Sequence, residues 1–151
     1  MIKIITVGKL KEAYLKQAEE EYLKRLSKYT KIELIEVEDS KIDDAKQALA
    51  FEKNNILRYL DSKAYIITLE ILGKELSSPE LADMIDKTFI NNSDITFIIG
   101  GSYGIHQEVL EKANFRLSFS KMTFPHQLFR ILLLEQLFRS YKILNNEKYH
   151  K

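Results

Sequence analysis

The sequence contains no cysteine, only two prolines and only five glycines. Without cysteine it can form no disulfide framework, no thiolate metal site and no cysteine nucleophile. Its three histidines, His106, His126 and His150, are spread along the chain, so we expect no bound metal ion. With 45% hydrophobic and 30% charged residues among 151, the composition is typical of one globular domain and excludes a disordered or low-complexity chain.

A long uncharged hydrophobic run is also absent. The most apolar stretch, 128–144, contains Arg130, Glu135 and Arg139 and therefore does not predict a membrane span. The N-terminal apolar run is too short for a signal peptide, and it lacks a small-residue cleavage site. We therefore predict a single cytoplasmic domain over residues 1–151, with no membrane partner.

Charge is balanced over the whole chain but not along it. Residues 1–115 carry 16 basic and 20 acidic side chains, a net charge of −4, whereas residues 116–151 carry seven basic and two acidic side chains, a net charge of +5. A polyanionic partner would therefore meet the C-terminal quarter of the chain. The alternative is that a mostly apolar helix carries solubilising lysines and arginines.

The pattern of apolar residues alternates between strands and helices. β-branched runs predict strands at 2–7, 31–37, 64–69, 94–99 and 116–120. Apolar spacing and capping residues predict helices at about 11–29, after Asp39-Ser40, after an N-cap at Ser78, at about 106–113 and at about 125–144. A loop at 70–74 follows the third strand. This order predicts an α/β fold with a mainly parallel sheet flanked by helices.

The last predicted helix is apolar around nearly its whole circumference between Leu128 and Leu144. A surface helix has one apolar stripe, so a helix of this kind must be buried on two sides. In a domain of 151 residues the second side is most simply another subunit, which predicts a homodimer around this helix. The alternative is a central core helix of a monomer.

Three loops follow the carboxyl ends of strands, where open α/β sheets bind ligands. They are the loop after Leu69, the glycine loop 100–104 and the stretch 118–126. The Gly-Gly-x-x-Gly pattern permits close approach of backbone to a ligand, although a tight turn explains it equally well. It is not a dinucleotide fingerprint, because it follows the fourth strand, and the chain contains no P-loop motif.

The stretch 118–126 combines small hydroxyl residues, Met122, two phenylalanines and a Pro-His pair that begins a helix. Backbone groups of such a loop can hydrogen-bond an adenine edge while Met122 and the aromatic rings enclose the base. The alternative is that Phe119 and Phe124 are core residues and that His126 serves only its own helix.

A family resemblance decides between these alternatives. Residues 117–126 read Leu-Ser-Phe-Ser-Lys-Met-Thr-Phe-Pro-His and resemble the signature of the RlmH family, the pseudouridine N3-methyltransferases of 23S rRNA within the SPOUT class. The similarity continues through 130–139 to the terminal Tyr149-His150-Lys151 and includes the blocks 68–78 and 97–104. One departure is Lys148, where the family commonly has proline, so we expect a less preorganised C-terminal tail.

The resemblance implies an α/β fold with a C-terminal trefoil knot, a homodimer, and S-adenosylmethionine as cofactor. It also implies that the enzyme methylates a pseudouridine of 23S rRNA on the assembled ribosome. By position it implies cofactor contacts, together with the glycine loop, at Leu69, Gly100, Gly101, Gly104, Phe119, Ser120, Lys121, Met122, Thr123 and Phe124. Two alternatives are a catalytically silent ribosome-associated dimer and a SPOUT enzyme that acts on tRNA.

Methylation of a pseudouridine N3 requires alignment of N3, removal of its proton and stabilisation of the flanking carbonyl oxygens. His126 is a candidate base beside the cofactor loop, although it could instead only orient that loop. Arg130 is predicted to reach substrate oxygens, and Arg139, on the opposite side of the same helix, to serve a dimer contact. Tyr149 and His150 are predicted to fold over the cofactor, that of the partner subunit rather than their own.

Overall fold

The computed structural model describes all 151 residues, and five strands alternate with five helices along the chain. The strands are β1 (Ile2–Val7), β2 (Ile32–Val37), β3 (Tyr65–Glu75), β4 (Ile95–Ile99) and β5 (Phe115–Ser118). The helices are α1 (Ala13–Leu26), α2 (Ala45–Leu57), α3 (Ser78–Asn91), α4 (Gln107–Leu110) and α5 (His126–Leu144). Each element lies close to its predicted position.

All strands belong to one sheet with the order β2-β1-β4-β3-β5, and every neighbouring pair is parallel. The predicted α/β fold with a mainly parallel sheet is therefore confirmed. Because the strands run in one direction, the carboxyl ends of β3, β4 and β5 meet at the same edge, where ligands bind in such sheets. The C-terminal trefoil knot stays a prediction.

The sheet is apolar on both faces because helices cover both of them. Ile4, Phe97 and Ile67 belong to a cluster that α1, α3 and α5 complete. On the opposite face, Ile5 and Ile98 belong to a smaller cluster with residues of α2 and α4. The fully buried central strands form a rigid platform for the loops at their carboxyl ends.

The first turns of two helices differ from their predicted positions by one or more residues. The N-cap of α3 is Ser77 rather than Ser78. The Ser77 hydroxyl accepts the Glu80 N–H, and the Glu80 carboxylate accepts the Ser77 N–H, which forms a capping box. The N-cap of α2 is Asp44, whose carboxylate accepts the Gln47 N–H at 2.9 Å, and not Asp39-Ser40.

The predicted loop at 70–74 is wrong, because β3 continues to Glu75. Leu69 pairs with Leu117, and Lys74 pairs with the same residue after an irregularity in the ladder. A Cβ on Gly73 would lie 2.7 Å from the Arg116 carbonyl oxygen, so only glycine allows this close strand approach. The second half of β3 thus borders β5 beside the loops at the sheet edge.

α5 lies between α1 and α3 and buries Leu133, Leu134 and Leu137 against the sheet. Its outward side carries the half-buried Leu132 and Leu128, which is 38% exposed. Most of its apolar circumference is therefore covered within one chain, and a shorter outward stripe is not. No helix of the protein is both long and apolar enough to cross a membrane.

Candidate functional site

A cavity of about 310 Å³ opens at the carboxyl ends of β3, β4 and β5. This volume lies at the lower end of the range of roughly 300–1,000 Å³ that small-molecule sites occupy. All of the predicted cofactor residues except Lys121 line it, namely Leu69, Gly100, Gly101, Gly104, Phe119, Ser120, Met122, Thr123 and Phe124. Lys121 is exposed and lies outside the lining. Three loops that are distant in sequence thus form one site.

The glycine loop 100–104 folds tightly on itself at one wall of the cavity. The Gly104 N–H donates to the Gly101 carbonyl at 3.1 Å. A Cβ on Gly100 would lie 2.3 Å from the Gly104 carbonyl oxygen, which leaves no room for any side chain. Gly104 has a φ of +85°, and a Cβ there would have no atom within 4 Å. Glycine at position 104 therefore permits the left-handed backbone conformation, and its missing side chain leaves space open in the cavity.

The opposite wall is the 118–126 loop, which is held by its own hydroxyl groups. The Ser118 hydroxyl donates to the Ser120 carbonyl, and the Ser120 hydroxyl accepts the Met122 N–H, both at 3.0 Å. These bonds fix the turn and leave the Met122 side chain 74% exposed at the mouth. A flexible thioether in this position can close over a bound ring.

Phe129 of α5 is a wall residue that the sequence analysis missed. Its ring centroid lies 4.8 Å from that of Phe119 and 6.1 Å from that of Phe124. Phe119 and Phe124 therefore both pack against the protein and line the cavity, so the two alternatives considered for them hold together. The spacing between His126 and Phe129, three residues on one helix face, is the signal that could have identified Phe129.

His126 begins α5 and places its half-buried imidazole on the cavity wall. Its ring makes no hydrogen bond within the protein, so no backbone contact fixes it in the role of a loop anchor. A Cβ on Gly8 would lie 3.6 Å from the His126 Nε2, and the φ of Gly8 is +94°. Gly8 thus leaves space directly beside the imidazole nitrogen.

Glu70, also missed as a site residue, is the one acidic residue of the lining. It follows Leu69 at the point where β3 becomes irregular. Its nearest cation is Arg116, whose Nη1 lies 3.9 Å from the Glu70 Oε1. At that distance the pair is loose, so the carboxylate keeps negative charge available to the cavity.

Arg130 lies outside the cavity, which corrects its expected placement beside the substrate. It is 2% exposed and donates from Nε to Glu19 Oε2 and from Nη1 to Glu36 Oε2, both at 2.7 Å. A third bond joins Nη2 to Glu19 Oε1 at 3.1 Å. Arg130 therefore fastens α5 to α1 and β2, and its guanidinium is already occupied.

The C-terminal tail, residues 145–151, folds back onto α5 and not onto the cavity of its own chain. The Tyr149 hydroxyl donates to Glu135 Oε2 at 2.5 Å, and the Arg139 guanidinium lies over the Tyr149 ring. His150 Nδ1 lies 3.2 Å from Arg139 Nη1. The bond to Glu135, with burial, raises the pKa of Tyr149 to about 12, so this phenol is protonated at neutral pH.

Comparison with known proteins defines the class first. Residues 1–150 match the family model described as "Predicted SPOUT methyltransferase". A solved structure described as a probable methylase family protein from Haemophilus influenzae aligns with a TM-score of 0.58, at 17% identity, over 99% of this chain and 70% of that one. That likeness concerns the fold alone.

Full-length relatives narrow the class to one family. A ribosomal RNA large subunit methyltransferase H from Clostridium botulinum strain Hall is 50% identical over 157 aligned positions, which cover 99% of each chain. A Methanococcus vannielii protein that provisionally bears the same name is 52% identical over the same coverage. This chain belongs to the ribosomal RNA large subunit methyltransferase H family of SPOUT methyltransferases.

The cofactor of this family is S-adenosylmethionine, and the cavity residues fit it. Phe119, Phe124 and Phe129 form an apolar wall that would suit an adenine ring, and Gly104 leaves open the space that a Cβ would fill. Glu70 places a carboxylate where a positively charged sulfonium is attracted. When bound, the cofactor supplies an activated methyl group.

Proposed function

We propose that this protein transfers a methyl group from S-adenosylmethionine to N3 of a pseudouridine in 23S ribosomal RNA, acting on the assembled ribosome. The observation that carries the proposal is the single cavity in which the glycine loop and the 118–126 loop meet His126. Relatives that are named as large-subunit ribosomal RNA methyltransferases and are about half identical along the full chain support this substrate. A net charge of only +1 fits a substrate on the assembled ribosome. A composite RNA–protein surface supplies contacts that a protein binding free RNA must make with its own basic residues.

We assign to His126 the role of the base that removes the proton from N3. The imidazole lies on the cavity wall without an internal partner, and imidazole accepts a proton near neutral pH. A positioned base contributes typically about 10²–10⁴-fold to such a transfer. The remaining rate enhancement comes from the cavity walls, which would hold N3 in line with the methyl group.

We also propose that the working form is a homodimer across the outward face of α5 and the start of α1. Tyr14 at the start of α1 is 67% exposed, Leu128 of α5 is 38% exposed, and the half-buried Leu132 lies one turn after Leu128 on the same face of α5. A two-fold axis pairs identical patches, so one stripe meets its own copy. Burial of these side chains accounts for the apolar residues that α1, α3 and the sheet leave uncovered.

A dimer of this kind also gives the tail a function. Glu135 lies nine residues after His126, about 13 Å along the helix axis, so a tail docked on Glu135 and Arg139 does not reach its own cavity. If the two copies of α5 run antiparallel, the C-terminal end of one lies beside the N-terminal end of the other. We therefore assign Tyr149 and His150 to the partner's active site, where Glu135 positions Tyr149.

Tyr149→Ala is expected to lower the methylation rate on ribosomes at least about tenfold while S-adenosylmethionine affinity stays within about twofold. The tail bonds Glu135 and Arg139, neither of which lines the cavity, so cofactor binding should survive its loss. Tyr149→Phe distinguishes the role of the ring from that of the hydroxyl, because it keeps the packing on Phe138 and loses only the bond to Glu135. Unchanged turnover in the alanine variant would remove the tail from the reaction.

The function is tested by incubating the protein with labelled S-adenosylmethionine and ribosomes from cells that lack its gene, followed by mapping of the labelled nucleotide. We expect label on N3 of one large-subunit pseudouridine, and at least about a 100-fold lower rate with His126→Ala. Label on tRNA instead would identify a different SPOUT substrate. Cofactor binding with no transfer to any RNA would identify a silent ribosome-associated protein.

A further inference from the structure

Glu52 is a buried acid that the catalytic assignment does not use. It lies in the middle of α2, is 4% exposed, and accepts the Ser40 N–H through Oε2 at 3.0 Å. Its Oε1 is buried and has no hydrogen-bond partner. An unpaired buried carboxyl oxygen is costly, and such a group in a folded protein calls for a role in addition to packing.

The carboxyl group of Glu52 lies directly against the glycine loop. A Cβ on Gly101 would lie 3.3 Å from Glu52 Oε1, 3.4 Å from Oε2 and 3.0 Å from Val7 Cγ1. Gly101 lines the cofactor cavity on its other side. Glu52 therefore lies behind the cavity wall, separated from the cofactor by the thickness of one backbone segment.

A second contact ties the same loop to the segment before α2. The Tyr103 hydroxyl donates to the Asp43 carbonyl at 3.0 Å. The glycine loop is thus held from behind by α2 and by the residues that lead into it, although neither belongs to the cavity. Because the loop carries no side chain at Gly100, Gly101 or Gly104, its conformation depends on such external support.

We propose that Glu52 is a positioning residue for the cofactor: its carboxyl group supports Gly101 and fixes the glycine loop in the conformation that binds S-adenosylmethionine. Burial raises the pKa of Glu52, and the neighbouring Asp39 carboxylate adds to the rise against the opposing Ser40 N–H. The inference rests on the cofactor site and is independent of which RNA is methylated.

The test compares Glu52→Ala and Glu52→Gln by calorimetric titration with S-adenosylmethionine and by KM and kcat on ribosomes. Glu52→Ala should raise the dissociation constant and the KM for the cofactor at least about tenfold, with kcat at saturating cofactor within about twofold. Glu52→Gln should stay within about threefold of the unmodified protein, because the amide keeps the shape and can accept the Ser40 N–H.

Gly101→Ala perturbs the contact between Glu52 and the glycine loop by a change in the loop. Its Cβ would press on Glu52 and Val7, so it should weaken cofactor binding by about tenfold. The double variant Glu52→Ala/Gly101→Ala should bind more tightly than the product of the two single effects predicts, because truncation of Glu52 frees part of the space. This coupling tests the contact even if one single variant is poorly stable.

Lys53→Ala is the matched control. Lys53 neighbours Glu52 on α2 but contacts Glu108 of α4, with Nζ 3.4 Å from Oε2, and not the glycine loop. It should leave cofactor affinity within about twofold. Normal affinity in Glu52→Ala, or an equal loss in Lys53→Ala, would overturn the inference, whereas methylation by the unmodified protein in the same series would leave the proposed function intact.

Discussion

Gly100→Ala is expected to weaken S-adenosylmethionine binding about 100-fold. The added Cβ would lie 2.3 Å from the Gly104 carbonyl oxygen and 2.8 Å from Ile105 Cγ1, so the backbone of the glycine loop must move. Overpacking of this kind costs about 1–3 kcal/mol, and about 1.4 kcal/mol corresponds to a factor of ten in a binding constant. Calorimetric titration of the purified variant measures the loss directly.

Gly104→Ala is the control within the same loop. Its Cβ would meet no protein atom within 4 Å, so the cost arises from the φ of +85° and from the cavity space that the Cβ would take from the cofactor. That conformation costs an alanine about 1–2 kcal/mol, and the expected loss of affinity is about tenfold. If Gly100→Ala bound the cofactor as well as the unmodified protein does, this loop would not be a wall of the cofactor site.

Arg130→Met is expected to lower the free energy of unfolding by about 3–5 kcal/mol, because it leaves two carboxylates without their shared cation. Glu19 and Glu36 both bond the Arg130 guanidinium at 2.7 Å; the arginine side chain is 2% exposed, and those of Glu19 and Glu36 are 16% and 34% exposed. In a chain of this size the melting temperature should fall by roughly 10 °C. Denaturant unfolding and calorimetry both report the change.

Two further variants distinguish a structural role of Arg130 from a catalytic one. Arg139→Ala removes a more exposed arginine from the same helix and should cost about 1 kcal/mol or less. Adding Glu19→Gln to Arg130→Met should restore part of the stability, because it removes one unpaired charge. If Arg130→Met were as stable as the unmodified protein but lost turnover, Arg130 would instead contact the substrate, as the sequence analysis predicted.

The fold and the position of the cavity at the sheet edge were predictable from local signals in the sequence, whereas the cofactor was implied only by the family resemblance. The β-branched runs of β1 and β4 report burial on both faces of a parallel sheet, and the glycine spacing marks a place where backbone must pack on backbone. Both signals lie within a few residues. The common edge of the sheet then follows from parallel topology alone, which is why loops that are distant in sequence were correctly grouped.

The placement of Arg130 was not predictable, because it depends on distant partners. Its carboxylates lie 111 and 94 residues away in sequence, and helix periodicity gives the face of a residue but not what that face meets. The same holds for Glu52, which appears in the sequence as an ordinary charged helix residue. The extension of β3 was missed because Gly73 resembles a loop residue, although it serves a close strand contact.

The position of α5 over β1 also affects how the chain acquires its structure. Ile2 and Ile4, near the start of the chain, share one core with Leu133, Leu134 and Leu137 near its end. During synthesis one face of the first strand therefore lacks part of its cover until the last helix has been made. Contacts this distant in sequence slow folding, and exposed strands favour aggregation in the interval. The chain thus completes its larger core late, in a step that joins its two ends.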